Sequence, residues 1–254
     1  MLPAHHTKHL PFLTYSFPPA NASFHLAQSD SGHANGTGLW LGGQCLALYL
    51  ASLPVPASAR AIELGSGIGL TALALSSLGW HVLATDIPYV LSSVLARNIS
   101  TNVSQLPPHA GVIQSRVLDW TVAPSDWLWD NPLSVASPAA SSSCPNDNLL
   151  KPPFSLICSA DTVYAPELVE PLLRAFHHLA TQSFAISGHS PPIYLCIERR
   201  DPLLVDRLLA DAKTAWQFNV NRIPHHKVSK AMKKGALSWE PSEWESIEIW
   251  KLTL

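Results

Sequence analysis

The run Ala61-Ile62-Glu63-Leu64-Gly65-Ser66-Gly67-Ile68-Gly69-Leu70 narrows the possible folds more than any other part of the chain. A short apolar segment with an acid near its end breaks into three glycines at alternate positions. Thr71 to Gly79 then reads as a helix closed by a C-terminal glycine. His81-Val82-Leu83-Ala84-Thr85 follows as a buried strand and ends at Asp86. Strand, glycine turn, helix, strand and acid, in that order, make half of a nucleotide-binding α/β sheet. The glycines let the backbone turn tightly and approach a ligand, and Asp86 falls where a carboxylate accepts both ribose hydroxyls.

Two nucleotide classes compete for this turn. A dinucleotide fingerprint exists in the register Gly67-x-Gly69-x-x-Ala72, with Asp86 beyond it. That register leaves Leu64-Gly65-Ser66 between strand and motif. It also sets Glu63 beside a pyrophosphate, where like charges repel. S-adenosyl-L-methionine has no phosphate and carries a sulfonium and an ammonium, so a neighbouring carboxylate favours it. Glu63-x-Gly65-x-Gly67-x-Gly69 resembles the first motif of the seven-strand methyltransferases.

With 254 residues and 47% hydrophobic side chains, the chain has material for one large α/β domain or two small ones. Its net charge of -2 gives no global attraction to nucleic acid or an anionic membrane. Cys45, Cys144, Cys158 and Cys196 show no metal or redox spacing, and the apolar runs around Cys158 and Cys196 predict buried thiols. That usage, with no signal-peptide core at the N-terminus, leads us to expect a cytoplasmic protein. The most hydrophobic window, Leu39 to Leu53, is short and glycine-interrupted, so no membrane span is expected. His5, His6 and His9 lack a fixed spacing and read as a solvated tail with no metal site. The Asn-x-Ser/Thr triplets at Asn21, Asn35, Asn98 and Asn102 read as chance.

Around the turn, residues 1–36 are expected to form a tail and a β-hairpin, Phe12–Phe17 with Ser23–Ala27, ahead of a domain spanning 37–254. Thr37-Gly38-Leu39-Trp40 opens a helix running to about Leu53. Trp40 is either a core anchor or a wall of the ligand pocket. Pro88 to Asn98 reads as a helix and Val112 to Leu118 as a strand entering Asp119-Trp120. Trp120 is a loop aromatic or the neighbour of an adenine. From 121 to 153 the pattern dissolves into a surface insertion, with a low-complexity part at about 130–152. Phe154 to Ala160 is a buried strand that stops at Asp161-Thr162-Val163-Tyr164, with a helix from Pro166. Ile193 to Glu198 is a strand ending in Arg199-Arg200, the candidates for substrate contact, Leu203 to Thr214 is a helix, and Gln217–Ile223 with Glu245–Leu252 a terminal antiparallel pair. The lysines between Lys227 and Lys234 read as a solvated hairpin tip.

Four elements in order resemble the family-16 group of protein-lysine methyltransferases, which includes methyltransferase-like family 21 and fungal relatives. They are Thr37-Gly38-Leu39-Trp40, Ile62 to Leu70, Leu118-Asp119-Trp120 and Ala160-Asp161-Thr162-Val163-Tyr164. The resemblance implies an α/β, Rossmann-like, seven-stranded and mostly parallel sheet with its last strand antiparallel and helices on both faces. It implies S-adenosyl-L-methionine as cofactor, with contacts at Trp40, Glu63, Gly65, Ser66, Gly67, Asp86, Trp120 and Ala160. It places Asp161 and Tyr164 on the acceptor side. The implied partner is a protein lysine side chain, such as one on a translation elongation factor, met by a monomeric enzyme that binds neither membrane nor nucleic acid. Leu41 and Ser155 depart from the residues common in relatives, and the insertion is long.

Asp161 would guide the amine and take up its proton through water, while Tyr164 would hydrogen-bond the nitrogen or hold the methylated cation. The structural reading has Asp161 bonding loop amides and Tyr164 packing under a helix. A small-molecule or nucleic-acid methyltransferase, a non-catalytic module on the same fold and an NAD-dependent oxidoreductase are the alternatives.

Overall fold

Alternating apolar residues at the start of the chain pair as their pattern requires. Phe12–Phe17 (β1) and Ala22–Ala27 (β2) form an antiparallel hairpin that buries Tyr15, Phe17, Phe24 and Leu26 on one face. The computed structural model describes residues 2–29, 35–138, 148–235 and 239–254. Cys144 and residues 139–143 of the low-complexity run lie outside the described residues.

Helix α1 (Leu41–Leu50) starts from an extended Trp40 and is buried at every position but Gly43. Then come β3 (Arg60–Leu64), α2 (Leu70–Ser77) and β4 (His81–Asp86). Pro88–Val90 (α3) continues through a π-helical stretch, Leu91–Leu95, into α4 (Ala96–Val103). Next are β5 (Ile113–Leu118), β6 (Ser134–Ala136), β7 (Leu156–Ala160), α5 (Val169–Ser187) and β8 (Ile193–Glu198). The chain finishes with α6 (Pro202–Thr214), β9 (Asn219–Arg222), α7 (His225–Lys234) and β10 (Ile247–Thr253).

The main sheet runs β6-β5-β4-β3-β7-β8-β10-β9, and β10 is antiparallel to both β8 and β9. The remaining neighbours are parallel. Central strands are apolar on both faces, as a covered parallel sheet demands: Ala61 and Cys158 join one core, Ile62, Leu64 and Ile157 the other. The first core holds the hairpin, α1, α2 and α7; the second holds α5 and α6. From β3 the chain moves outward to β4 and β5, then returns to place β7 on the other side of β3. A crevice opens at such a switch point, at the carboxyl ends of the strands.

Three expectations change. The seven strands are present, but Ser134–Ala136 adds an eighth at the edge, parallel to β5. Arg116 explains why: fully buried, it donates to the carbonyls of Trp129 at 3.0 Å, Asn131 at 3.3 Å and also Leu150. Both ends of the insertion are thereby held, and Trp127 and Val135 join the core. The lysine-rich stretch is a helix, because Val228, Ala231 and Met232 bury a stripe against the α1 side. The N-terminal tail is docked rather than solvated. Ala4 N donates to Gln44 Oε1 at 2.8 Å, while Gln28 Nε2 donates to the carbonyls of Thr7 at 2.9 Å and Leu10 at 2.7 Å. Asn98 and Asn102 are buried, in keeping with chance triplets.

Candidate active site

The glycine turn sits where β3 ends. Gly65, Gly67 and Gly69 have φ of 70°, 54° and 88°, the left-handed region that side chains disfavour. At Gly65 a Cβ would stand 2.6 Å from Thr162 and 3.2 Å from the Trp120 ring, so the turn is closed to any side chain there. Ser66 ties the turn to the next strand: its amide donates to Thr85 O at 2.8 Å, and its hydroxyl accepts from Thr85 N at 3.0 Å.

Two carboxyls flank the turn. Asp86 accepts from Gly67 N and Ile87 N, both at 2.8 Å. Burial pushes it up to about 6 against the pull of those two amides. Glu63, 2% exposed, is pushed up to about 8, chiefly by burial. Among the described residues its Oε2 has no hydrogen-bond partner. A buried carboxyl oxygen without a donor is costly, and it marks a place for a cationic group.

A cavity of about 440 Å³ opens over the turn. Gly65, Gly67, Asp86 and Trp120 line it on the β4 and β5 side, and Ala160, Asp161 and Tyr164 on the β7 side, with Trp40 also on its wall. Glu63 and Ser66 face a small hollow of about 40 Å³ that shares Trp40, Gly65, Gly67 and Ala160 with it. Eight of the ten residues expected from the sequence therefore line this cavity, and the other two, Glu63 and Ser66, line the adjoining hollow. Trp120 is 7% exposed, and its buried Nε1 has no partner among the described residues.

Asp161 makes the amide contacts that one of the two sequence readings gave it. Its Oδ2 accepts from Gly42 N at 2.7 Å and its Oδ1 from Glu198 N at 3.1 Å. Burial, the largest influence, raises it to about 6. A side chain at Gly42 would come within 2.6 Å of that carboxylate. Asp161 thus ties together α1, β7 and β8, with its own φ at 54°. Tyr164 is 55% exposed at the cavity mouth.

Sequence reasoning missed several neighbours. Asn35 and Gly36 line the cavity, and Gly36 O lies 3.1 Å from where a Gly67 Cβ would be. Trp40 Nε1 donates to Asn35 O at 2.6 Å. Lys8 Nζ lies 3.5 Å from the Trp40 ring centroid and Arg200 Cζ 4.7 Å from it. Beside Trp40, a second cavity of about 160 Å³ is walled by Asp161, Tyr164, Glu198 and Arg200. Of the two arginines expected to meet substrate, Arg200 lines this cavity, whereas the Asn35-Gly36 pair carries no sequence signal of sharing a pocket.

The family described as lysine methyltransferase matches residues 21–134. A protein-lysine methyltransferase of Bos taurus, METTL21E, is 34% identical over 193 residues, covering 74% of this chain and 57% of that protein. The chain is thus similar to the lysine methyltransferase family over residues 21–134. The EEF1A lysine methyltransferase 3 of Xenopus tropicalis is 40% identical over 68 residues, 27% of this chain and 30% of that one. The chain spans about half the length of the curated relatives it matches. Among solved structures, a methyltransferase from Pyrococcus furiosus overlaps 90% of this chain and 88% of its own at 12% identity, with a TM-score of 0.49.

The lysine methyltransferase family uses S-adenosylmethionine, and the residues present fit that group. The unpaired Glu63 oxygen suits its ammonium, the Asp86 carboxylate its ribose hydroxyls, and the Trp120 face its adenine. A pyrophosphate would instead meet two carboxyls at the turn.

Proposed function

We propose that this chain is an S-adenosylmethionine-dependent protein-lysine N-methyltransferase. The observation that carries this reading is a single cavity with Asp86 and Trp120 on one side of β3 and Asp161 and Tyr164 on the other. Donor-binding and acceptor-facing groups thus share one space. The cofactor supplies an electrophilic methyl group on a sulfonium. The protein supplies alignment and exclusion of water.

A lysine amine has an unperturbed pKa of about 10.4 and must lose a proton before it can react; a partly dry, aromatic-walled cavity favours the neutral form. The cavity of about 160 Å³ beside Trp40 is the entry for that side chain. Tyr164 lies at the meeting of the two cavities, where its hydroxyl orients the nitrogen and its ring faces the product cation. Asp161, with both oxygens already accepting amides, acts as a positioning residue that fixes Gly42 and the end of β8 around the acceptor.

The substrate is a protein lysine, and an elongation factor is the class we favour, supported by the name of the Xenopus relative. The three described cysteines are free and buried, in keeping with action in the cytoplasm. No helix among the described residues is long and apolar enough to cross a membrane. The test is incubation of purified protein and isotope-labelled S-adenosylmethionine with lysate from cells lacking this protein. Label on lysine of one protein is expected. Label confined to RNA or small molecules, or no transfer at all, would overturn the reading.

A further inference from the structure

His5, His6 and Glu243, none of which lines the crevice, bring one ligating atom each to within 4.8 Å of one another. His6 Nε2 lies 3.2 Å and His5 Nε2 3.9 Å from the same oxygen, Glu243 Oε1. Around a tetrahedral ion with bonds of about 2.0–2.1 Å, neighbouring ligand atoms stand roughly 3.3–3.5 Å apart. Small side-chain rotations therefore suffice to close the set.

The backbone on both sides is already fixed by contacts that owe nothing to an ion. Ala4, next to the histidines, is 2% exposed and bonded to Gln44. Glu243 N donates to Glu240 O at 3.0 Å, and the adjacent Trp244 is 5% exposed, with its ring stacked on His225 at 5.1 Å. The two imidazoles lie 4.3 Å apart, and both turn a nitrogen toward one carboxylate oxygen. Three electron-pair donors converging on a point are satisfied together by a cation between them.

We propose that His5, His6 and Glu243 form a binding site for a borderline divalent transition metal, with zinc as the reference ion. Two imidazoles and a carboxylate suit zinc, nickel or copper and not magnesium or calcium, whose ligand sets are oxygen-rich. Water completes the coordination, since both histidines are exposed. The ion clasps residues 4–6 to residues 241–243. The ligands lie 237 positions apart, which is why histidine spacing alone does not reveal the site.

The test is calorimetric titration of tag-free, chelator-treated protein with zinc chloride, with magnesium chloride as control. His6→Ala and Glu243→Gln are compared after circular dichroism shows them folded. One zinc per chain at micromolar affinity is expected, with a rise in Tm of about 5–10 °C at a hundredfold excess over Kd. Both variants should bind at least thirtyfold more weakly, and magnesium should give no heat. Absence of zinc binding, equal affinity in the folded variants, or equal binding of magnesium would each overturn the proposal.

Discussion

Burial holds the Glu63 carboxyl at about 8, so at neutral pH it keeps its proton unless a cation arrives. In the unfolded chain the same group ionises in the ordinary carboxyl range. The folded, ligand-free protein is therefore favoured by this group at low pH, and the advantage is lost as pH rises toward 8. Asp86 and Asp161, each raised to about 6, act in the same direction at lower pH. Between pH 6 and 8, then, the Tm of ligand-free protein should fall more steeply for wild type than for Glu63→Gln. Over the same interval the wild-type affinity for S-adenosylhomocysteine should rise, because the ligand ammonium favours the ionised carboxylate. Glu63→Gln should bind about tenfold more weakly, with a flatter profile; parallel curves in calorimetry would remove Glu63 from the site.

Asp161 and Tyr164 divide along a second measurable line. Removing the Asp161 carboxylate strands two amide donors, at about 1–3 kcal/mol each, so Asp161→Ala should lower Tm by several degrees and abolish methyl transfer. Tyr164→Phe, at a half-exposed position, should leave Tm within a degree while transfer drops at least tenfold. An unchanged Tm in Asp161→Ala would return that residue to direct chemistry. Glu63 and Asp86 were readable from the sequence because their partners lie within one strand-turn-strand unit. For Asp161 the amide-bonding reading was open in the sequence but its partners were not, because Gly42 is 119 residues away and Glu198 is 37.

Among the elements, α4 joins the hairpin to the glycine turn. Asn98 Oδ1 accepts from Ala27 N at 2.8 Å, and its Nδ2 donates to Ala27 O at 3.0 Å and Ile68 O at 2.9 Å. Asn98→Ala leaves three main-chain groups unpaired in a buried place. We expect about 3 kcal/mol lower stability by urea unfolding, with weakened S-adenosylhomocysteine binding because Ile68 belongs to the turn. A loss below 1 kcal/mol would mean that the hairpin is held by its apolar face alone. The hairpin itself was legible from alternation, as were the parallel strands from their apolar runs. Helix α7 was hidden by its lysines, although Val228, Ala231 and Met232 already carry the i, i+3, i+4 spacing of a buried stripe. Strand β6 is three residues long, and what orders it is Arg116 reaching from β5, a contact with no local sequence signature.

For the molecule as a whole, two cores sandwich one sheet, and the reversal of strand order beside β3 sets the crevice. The mostly parallel sheet with its last strand antiparallel followed from the glycine motif and the resemblance together. Part of the cavity's wall did not, since Asn35 and Gly36 arrive from a segment with no motif of its own. What the crevice selects is a cationic, phosphate-free adenosine ligand, because carboxyls rather than basic groups flank its turn. Calorimetry on purified, folded protein tests this most directly. Titration with S-adenosylhomocysteine should show one site of micromolar affinity, and NAD should show no binding. Tight NAD binding with no uptake of S-adenosylhomocysteine would contradict it.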